Sequence, residues 1–238
     1  MSVSGSSATT DFQQTLAATA QHVASVLPAA ATRTIDGGIA AAEASGLASQ
    51  ALSAGQPAPD FTLPAAGGTP VALAHLRQKG PVVLFFYRGN WCPYCNVQLR
   101  AYQEILPELA RYEATLVAIS PQTPDFTSLT ASEKALTFPV LSDAGNAVAR
   151  QYGLAYGVGT GVADTLRSVG INLSAFNGTS DDELPFTATF IIGSDGVIAW
   201  SWVEANFKHR ADPAAILAAL AQLPASQAAW GHVFLSSF

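Results

Sequence analysis

The sequence predicts an α/β fold built on a mixed β-sheet. Strand-like apolar runs alternate with helical patterns through the middle of the chain, which favours helices packed on a sheet. Residues 82–87 form an uninterrupted apolar run, as expected for a strand that is buried on both faces. Near the other end, two apolar runs flank Gly193-Ser194-Asp195-Gly196, a strong signal for an antiparallel hairpin. Parallel strands joined by helices, together with a hairpin, predict a mixed sheet.

The first elements of the chain are predicted to be helical. Residues 10–27 and 37–53 are rich in alanine with scattered larger aliphatic residues, and Gly37-Gly38 precedes the second of these two helices. The stretch Gly55-Gln56-Pro57-Ala58-Pro59 ends the pattern because glycine and proline interrupt regular structure. Residues 1–54 are therefore predicted to be an N-terminal helical extension.

The core is predicted over residues 55–224, with strands and helices in alternation. Its expected elements are strands at 61–63, 71–73, 82–87, 116–120, 139–141, 187–192 and 197–203, and helices at 93–113, 124–136 and 144–152. Residues 157–184 are interpreted as a flexible loop followed by a short amphipathic piece. Asp212-Pro213 opens a last helix that ends near Leu223-Pro224, because proline suits the first helical position. Residues 225–238 form a C-terminal tail.

Composition narrows the class of protein. A chain of 238 residues with 49% hydrophobic and 12% charged residues can bury a substantial core and does not resemble a disordered protein. A net charge of −6 without a basic cluster argues against nucleic acid and anionic membranes as partners. No export signal or membrane-spanning stretch is recognised, which predicts a cytoplasmic protein whose cysteine pair is catalytic or metal-binding rather than a permanent crosslink.

Both cysteines lie in Trp91-Cys92-Pro93-Tyr94-Cys95, directly after the apolar run at 82–87. We predict Pro93 at the first helical position, which makes Cys92 the N-cap and leaves Cys95 in the first turn. Free N–H groups and the positive end of the helix dipole would then favour thiolate over thiol at both sulfurs. The pattern therefore predicts an exposed, activated thiol pair, with Cys92 and Cys95 as catalytic residues that form a redox-active disulfide.

Several neighbours are candidates for the same site. Arg88 is interpreted either as a positive charge beside the sulfur, and hence catalytic, or as a surface arginine that closes the strand. Trp91 and Tyr94 are predicted to wall the thiol pocket and contact substrate, although either could simply pack. Lys208-His209-Arg210 is predicted to be a surface turn, with a contact near the site as the weaker alternative. No metal or other cofactor is expected, because the four histidines are scattered without the spacing of a zinc site.

Residues 55 to about 220 resemble the peroxiredoxin superfamily, the alkyl hydroperoxide reductase/thiol-specific antioxidant family. The resemblance rests on four ordered segments: GQPAPDFTL at 55–63, LFFYRGNWCPYC at 84–95, FPVLSD at 138–143 and TFII at 189–192. It implies a thioredoxin-like fold and a thiol peroxidase that reduces hydrogen peroxide or alkyl hydroperoxides. It also implies a thioredoxin- or glutaredoxin-like dithiol as the reductant.

This sequence also differs from the family's usual motifs at several positions. The usual family motif is Pro-x3-Thr-x2-Cys, and in the same register Arg88 replaces the Pro, Cys92 replaces the Thr and Cys95 takes the peroxidatic position. The family's later arginine, before Ala-Thr-Phe, is replaced here by Thr187, which becomes a candidate substrate-binding residue. Helix capping favours Cys92 as the attacking thiol, whereas the family register favours Cys95. We prefer Cys92 slightly for disulfide exchange and leave the peroxidatic assignment open.

Two other functions remain as alternatives. The missing Pro, Thr and Arg motivate a thiol-disulfide oxidoreductase that acts on protein or glutathione disulfides. A redox-sensing or interaction protein is the third interpretation, with the N-terminal extension and the apolar tail used for docking. The tail residues Trp230, Val233, Phe234 and Leu235 suggest a dimer surface and hence a homodimer.

Overall fold

The computed structural model of the protein describes residues 5–224 and residue 227, with side chains described from residue 11 onward. The strands are β1 (Thr62–Pro64), β2 (Pro70–Ala72), β3 (Val82–Phe86), β4 (Thr115–Ser120), β5 (Val140–Ser142), β6 (Ala155–Gly157), β7 (Glu183–Pro185), β8 (Thr187–Ile192) and β9 (Ile198–Glu204). The helices are α1 (Gly5–Val26), α2 (Ala29–Ala44), α3 (Leu73–Leu76), α4 (Pro93–Glu104), α5 (Leu106–Ala110), α6 (Pro124–Glu133), α7 (Ala147–Gln151), α8 (Thr160–Ser168), α9 (Leu173–Asn177) and α10 (Pro213–Leu220), and a 3-10 helix spans Leu47–Gln50.

The central sheet has five strands in the order β5-β4-β3-β8-β9. β3 and β4 pair in parallel, as do β4 and β5, whereas β8 is antiparallel to both β3 and β9. The predicted mixed sheet is therefore confirmed. The parallel pairs are connected through helices, and the antiparallel strands β8 and β9 are joined by a tight turn at residues 193–196, as the sequence pattern predicts.

Both faces of β3 are buried, because its side chains alternate between two apolar clusters. Val83 and Phe85 pack with residues of α1, α4 and α10 on one face. Leu84 and Phe86 pack on the other face with aromatic residues that include Tyr152 and Phe190. The strand that leads into the cysteine segment is thus held on both sides.

Two regions of the core differ from the prediction. The single helix expected at 93–113 is divided at Ile105 into α4 and α5, and a proline occupies the first turn of α5, where it starts a new helix rather than continuing the old one. The segment at 157–184, expected as a loop and an amphipathic piece, contains α8 and α9. It is also flanked by the antiparallel pair β6–β7, which the sequence pattern did not indicate.

The predicted bounds of the second N-terminal helix, residues 37–53, were wrong. Gly37 and Gly38 lie inside α2 rather than before it, and α2 ends at Ala44. A Cβ atom at position 38 would lie 2.5 Å from Cγ2 of Val162, so the missing side chain allows α2 to approach α8 closely. Tertiary packing here outweighs the low helix propensity of glycine.

The helices α1 and α2, called the N-terminal helix pair below, pack on the core. Phe12 and Leu16 of α1 are buried in the cluster that also contains Phe85 and Leu99. The domain boundary at residue 54 stays a prediction, and the predicted C-terminal tail lies outside the described residues apart from Gln227. In the described part of the chain, no helix has both the length and the apolar character needed to cross a membrane.

Candidate active site

The cysteine segment follows β3 and opens α4, as the sequence predicts. Cys92 is the N-cap with φ −89° and ψ 113°, and a proline follows it in the first turn. Cys95 lies in that first turn, and both cysteines are free. The two sulfur-bearing residues are therefore held at the junction between a fully buried strand and a helix.

The loop before Cys92 is fixed by a reciprocal amide pair. Gln122 accepts a hydrogen bond from the Asn90 backbone N–H (3.0 Å) and donates one from Nε2 to Asn90 Oδ1 (2.9 Å). Asn96 Nδ2 donates to the Asn90 carbonyl at 2.8 Å. Gly89 has φ +153°, and a side chain there would overlap the indole of Trp91. These contacts give the thiol segment one conformation.

Two expectations about the sulfurs are wrong. Cys92 is 1% exposed and Cys95 is fully buried, whereas an exposed thiol pair was expected. The Cys92 side chain also accepts no capping hydrogen bond from the first turn of α4. The burial follows from the surroundings of the segment, because side chains of other elements cover it.

Arg210 is the main functional candidate that the sequence interpretation missed. It was expected in a surface turn, with a contact near the site as the weaker alternative, and its side chain is in fact buried at 4% exposure. Its Nη2 atom lies 3.4 Å from the sulfur of Cys95 and 3.8 Å from that of Cys92. The guanidinium therefore contacts both sulfurs.

A buried polar network positions this guanidinium. Arg210 Nη1 donates to Gln98 Oε1 at 3.0 Å, and Gln98 Nε2 donates to the Tyr102 hydroxyl at 3.0 Å. That hydroxyl in turn donates to the carbonyl of Ala211 at 3.0 Å and lies 3.2 Å from Oγ1 of Thr189. Gln98 and Tyr102 belong to α4, so the helix that carries Cys95 also orients Arg210.

Strand topology explains why Arg210 reaches the sulfurs. β8 runs antiparallel to β3, and β9 runs antiparallel to β8, so the end of β9 lies at the same edge of the sheet as the end of β3. The connection from β9 to α10, residues 205–212, therefore begins beside the cysteine segment. The hairpin predicted from the sequence already implied that β8 and β9 are antiparallel neighbours. It places residues 205–212 beside the cysteine segment only once β8 is known to pair with β3.

The pKa values of the two thiols are shifted in opposite directions. Burial raises the pKa of Cys92 well above its ordinary value, and its hydrogen bond with Cys95 raises it further. Burial also raises the pKa of Cys95, but the hydrogen bond from Cys92, the charge of Arg210 and the backbone N–H of Arg88 together bring it well below the ordinary value. Cys95, which the family register favours, therefore has the more acidic thiol of the two, and the identity of the attacking cysteine stays a prediction.

Arg88 is not a surface arginine: its charge acts on both thiols and its backbone N–H on that of Cys95, while its catalytic role stays a prediction. It is 3% exposed, and its guanidinium carbon lies 3.8 Å from the ring centre of Phe207 and 5.1 Å from that of Trp91. Its charge lowers the pKa of both thiols, though less than Arg210 does. The Nε atoms of Arg88 and Arg210 are buried and have no hydrogen-bond partner among the described residues.

A small cleft opens onto Cys92. It encloses about 100 Å³, and Arg88, Trp91, Tyr94 and Phe207 contribute to its walls, so it is called the thiol cleft below. Thr187 is not one of the described residues that line it; its hydroxyl donates to the carbonyl of Glu204 at 3.4 Å instead. The role predicted for Thr187 thus stays a prediction, and the structure does not bring this residue into the cleft.

A larger groove of about 620 Å³ lies between α1, α4, α5 and α10, but neither cysteine lines it, so we regard the smaller cleft as the reactive one. Among the described residues, no cluster of three or more His, Cys, Asp or Glu side chains is arranged to hold a metal ion.

Comparisons with known proteins point to one family. The AhpC/TSA family profile matches residues 54–201. A Mycobacterium tuberculosis protein assigned as a peroxiredoxin is 35% identical over 107 residues, which cover 45% of this chain and 70% of that protein. A second such protein from the same organism is 31% identical over 147 residues, covering 62% of this chain and 82% of that protein.

Solved structures give the same result. The crystal structure of peroxidoxin BcpB from M. tuberculosis is 27% identical with a TM-score of 0.59, and the match covers 73% of this chain and 99% of that one. The chain therefore belongs to the AhpC/TSA family, with a thioredoxin-type fold, and is an oxidoreductase, a thiol peroxidase of the peroxiredoxin type.

Proposed function

We propose that the protein reduces hydroperoxides through the Cys92–Cys95 pair, with Cys95 as the attacking thiolate and Cys92 as the resolving thiol. The observation that carries the proposal is the contact of Arg210 Nη2 with the Cys95 sulfur at 3.4 Å. A guanidinium at this distance stabilises a thiolate, and it lowers the pKa of Cys95 together with the hydrogen bond from Cys92.

The first step breaks the peroxide bond. The Cys95 thiolate attacks one oxygen of ROOH, an S–O bond forms, the O–O bond breaks, and the alkoxide leaves and takes up a proton to give ROH. Cys95 is oxidised to sulfenic acid and the peroxide is reduced. Arg210 remains beside the reacting sulfur, and the unpartnered Nε groups of Arg210 and Arg88 are donors for the oxygen atoms that gain negative charge.

The second step joins the two sulfurs. The Cys92 thiol attacks the sulfur of the Cys95 sulfenic acid, a disulfide forms, and water leaves with the thiol proton. A thioredoxin- or glutaredoxin-like dithiol then supplies two electrons and two protons, which regenerates both thiols and leaves the donor as a disulfide. The raised pKa of Cys92 fits this role, because burial and its hydrogen bond to Cys95 keep it a neutral thiol while Cys95 is a thiolate.

The reverse order has one observation in its favour: Cys92, and not Cys95, lines the thiol cleft. In that order Cys92 would be oxidised and Cys95 would resolve it. The alternative function, exchange with protein disulfides, is less favoured because it needs local opening around sulfurs that are at most 1% exposed in both halves of its cycle, whereas the peroxidase needs such opening for a protein partner only during regeneration.

Single-cysteine variants distinguish these possibilities. Purified Cys92→Ser and Cys95→Ser proteins are treated with one equivalent of hydroperoxide, trapped with a sulfenic-acid reagent and analysed by mass spectrometry. We expect a trapped adduct on Cys95 in the Cys92→Ser protein and little on Cys92 in the other variant. An adduct on Cys92 alone would reverse the order.

Steady-state turnover tests the function itself. The wild type should consume hydroperoxide with thioredoxin and its reductase as electron source, and the Cys92→Ser, Cys95→Ser double variant should not. Faster reduction of a protein or glutathione disulfide than of any hydroperoxide would favour the oxidoreductase alternative. Equal slow consumption by wild type and double variant would refute the peroxidase.

The cytoplasmic location and the homodimer also belong to the proposal. Light scattering of the full chain and of a chain truncated after Pro224 tests the second of these. A mass that falls on truncation supports a dimer surface on the tail, and an unchanged mass removes it.

A further inference from the structure

We infer that the N-terminal helix pair is the selectivity element of the thiol cleft, and that it favours hydroperoxides with an apolar chain over hydrogen peroxide. The inference rests on the proposed peroxidase function and adds the substrate class. The helix pair ends at Ala44, before the family match begins at residue 54, so the family domain alone does not provide this wall.

Most of the side chains that line the thiol cleft are apolar. Cys92, Arg88 and Tyr94 belong to the cysteine segment and the residues before it, while α1, α2, the turn between them, α8 and the turn after α8 supply mainly aliphatic side chains, together with Thr32 and Asp36 of α2. The larger aliphatic side chains are Val23, Leu27, Ile35, Val162, Leu166 and Ile171. A hydroperoxide that enters the cleft meets Cys92 of the cysteine pair first, and its chain lies against aliphatic groups that come partly from outside the family domain.

The volume of the cleft suits an unbranched alkyl chain rather than a bulky substituent. The cleft encloses about 100 Å³, and a single water needs roughly 10 to 15 Å³ of such space. Hydrogen peroxide has no apolar group to bury there and loses part of its hydration. Each methylene group of an alkyl chain that leaves water contributes about a fourfold gain in binding.

Two polar contacts fix the helix pair to the connection that carries Arg210. Lys208 Nζ lies 2.6 Å from Asp36 Oδ1 on α2, and Gln13 Nε2 on α1 donates to Asp212 Oδ2 at 3.2 Å. The two contacts lie on either side of Arg210 in sequence. Two surface contacts thus link the helices of the cleft wall to the connection that carries the guanidinium.

The experiment compares kcat/KM of the full-length protein for hydrogen peroxide and for primary alkyl hydroperoxides of increasing chain length. In the wild type, the ratio of alkyl to hydrogen peroxide rates should rise with chain length until the cleft is full. Val23→Phe fills the cleft and should lower this ratio at least about tenfold. Val26→Phe is the matched control, because it adds the same bulk on the same helix at a side chain that is 61% exposed and outside the cleft.

A second variant covers the case in which Val23→Phe does not fold. Leu27→Gln makes the wall polar with little change in volume and should flatten the dependence on chain length. A ratio that neither variant changes, with both peroxides still consumed, would overturn this inference and leave the proposed function standing. A wild type that consumes neither peroxide would overturn both.

Discussion

The Nη2 atom of Arg210 lies 3.4 Å from the sulfur of Cys95, although 115 residues separate them in sequence. The resemblance to peroxiredoxins assigns the family's later arginine to the position of Thr187, which is the first residue of β8. Thr187 pairs in register with Glu204, the last residue of β9. The positive charge thus comes from the connection that leaves the neighbouring strand at the same edge of the sheet.

Replacing Arg210 should impair the attack on peroxide and raise the pKa of Cys95. We expect Arg210→Gln to lower kcat/KM at neutral pH by about 10²-fold, because one charged donor is removed from a buried reacting centre. Since the pKa of Cys95 is lowered partly by this guanidinium, the variant's rate should rise with pH at more alkaline values than that of the wild type. Stopped-flow pH profiles measure both effects.

Arg100→Gln is the control for this prediction, because Arg100 is exposed on the same helix as Cys95. Its pH profile should match the wild type. Arg210→Lys keeps the positive charge but has a single nitrogen, which cannot contact both Gln98 and the Cys95 sulfur as the two guanidinium nitrogens do. It should give an intermediate rate. An Arg210→Gln profile that coincides with the wild type would contradict a role for this residue.

Gln98 is expected to act by positioning Arg210. Gln98→Leu removes the acceptor of Arg210 Nη1 and leaves a buried donor unpaired, which should lower the free energy of unfolding by about 1 to 3 kcal/mol. The pH profile for peroxide reduction should also move to higher pH, which a purely structural role would not cause. Urea denaturation and stopped-flow kinetics report the two effects.

Gln14→Leu on α1 is the matched control for Gln98→Leu, because Gln14 is exposed. It should change the free energy of unfolding by less than about 0.5 kcal/mol. A Gln98→Leu protein that is destabilised but keeps the wild-type pH profile would restrict Gln98 to a structural role.

Adjacent glycines in α2 should respond oppositely to the same substitution. Gly37→Ala meets nothing within 4 Å and should stabilise the protein by roughly 0.5 to 1 kcal/mol through helix propensity. Gly38→Ala puts a Cβ atom 2.5 Å from Val162 Cγ2, so α2 must move away from α8 and stability should fall. Thermal denaturation of both variants tests this, and equal shifts would contradict the close approach of the two helices.

Alkaline pH should destabilise the fold through Tyr102. Burial raises the pKa of Tyr102 from 10.0 to about 12. A raised pKa means that the folded state holds the proton more tightly, so this contribution is intact below pH 10 and is lost as pH rises towards 12. The two-unit shift corresponds to about 2 to 3 kcal/mol.

Urea denaturation at a series of pH values measures this loss, with Tyr102→Phe as the comparison. The variant loses hydrogen bonds and should be about 1 kcal/mol less stable at neutral pH. Its stability should nevertheless decline less steeply above pH 10, because position 102 no longer titrates. Parallel declines for the two proteins would assign the alkaline loss to other groups.

Much of the fold could be predicted because its elements follow local rules. The uninterrupted apolar run of β3, the turn at 193–196 and Pro93 after Cys92 each specify a structure over a few residues. The Cys-x-x-Cys pair and Trp91 and Tyr94 likewise come together because they are close in sequence. Tyr94 and Trp91 both line the thiol cleft.

What sequence could not predict depends on contacts between distant segments. The burial of Cys92 and Cys95 depends on how distant segments pack over them, and the position of Arg210 depends on strand order. The placement of Gly38 inside α2 depends on its approach to Val162. In each case a local rule gave the wrong answer because tertiary packing changed the environment of the residue.

Because both sulfurs are buried, the two halves of turnover, oxidation by a hydroperoxide and reduction by a dithiol, differ in how much access to the sulfurs they require. A hydroperoxide is small enough to enter through the thiol cleft, whereas a folded protein reductant must bring its own cysteine into bonding distance of a sulfur that is at most 1% exposed. Regeneration by such a reductant would therefore need the first turn of α4 or the helices over it to open more widely than the entry of a hydroperoxide does. For a protein reductant, the frequency of that opening, and not only the redox potential of the donor, would then limit how quickly the protein returns to its reduced form.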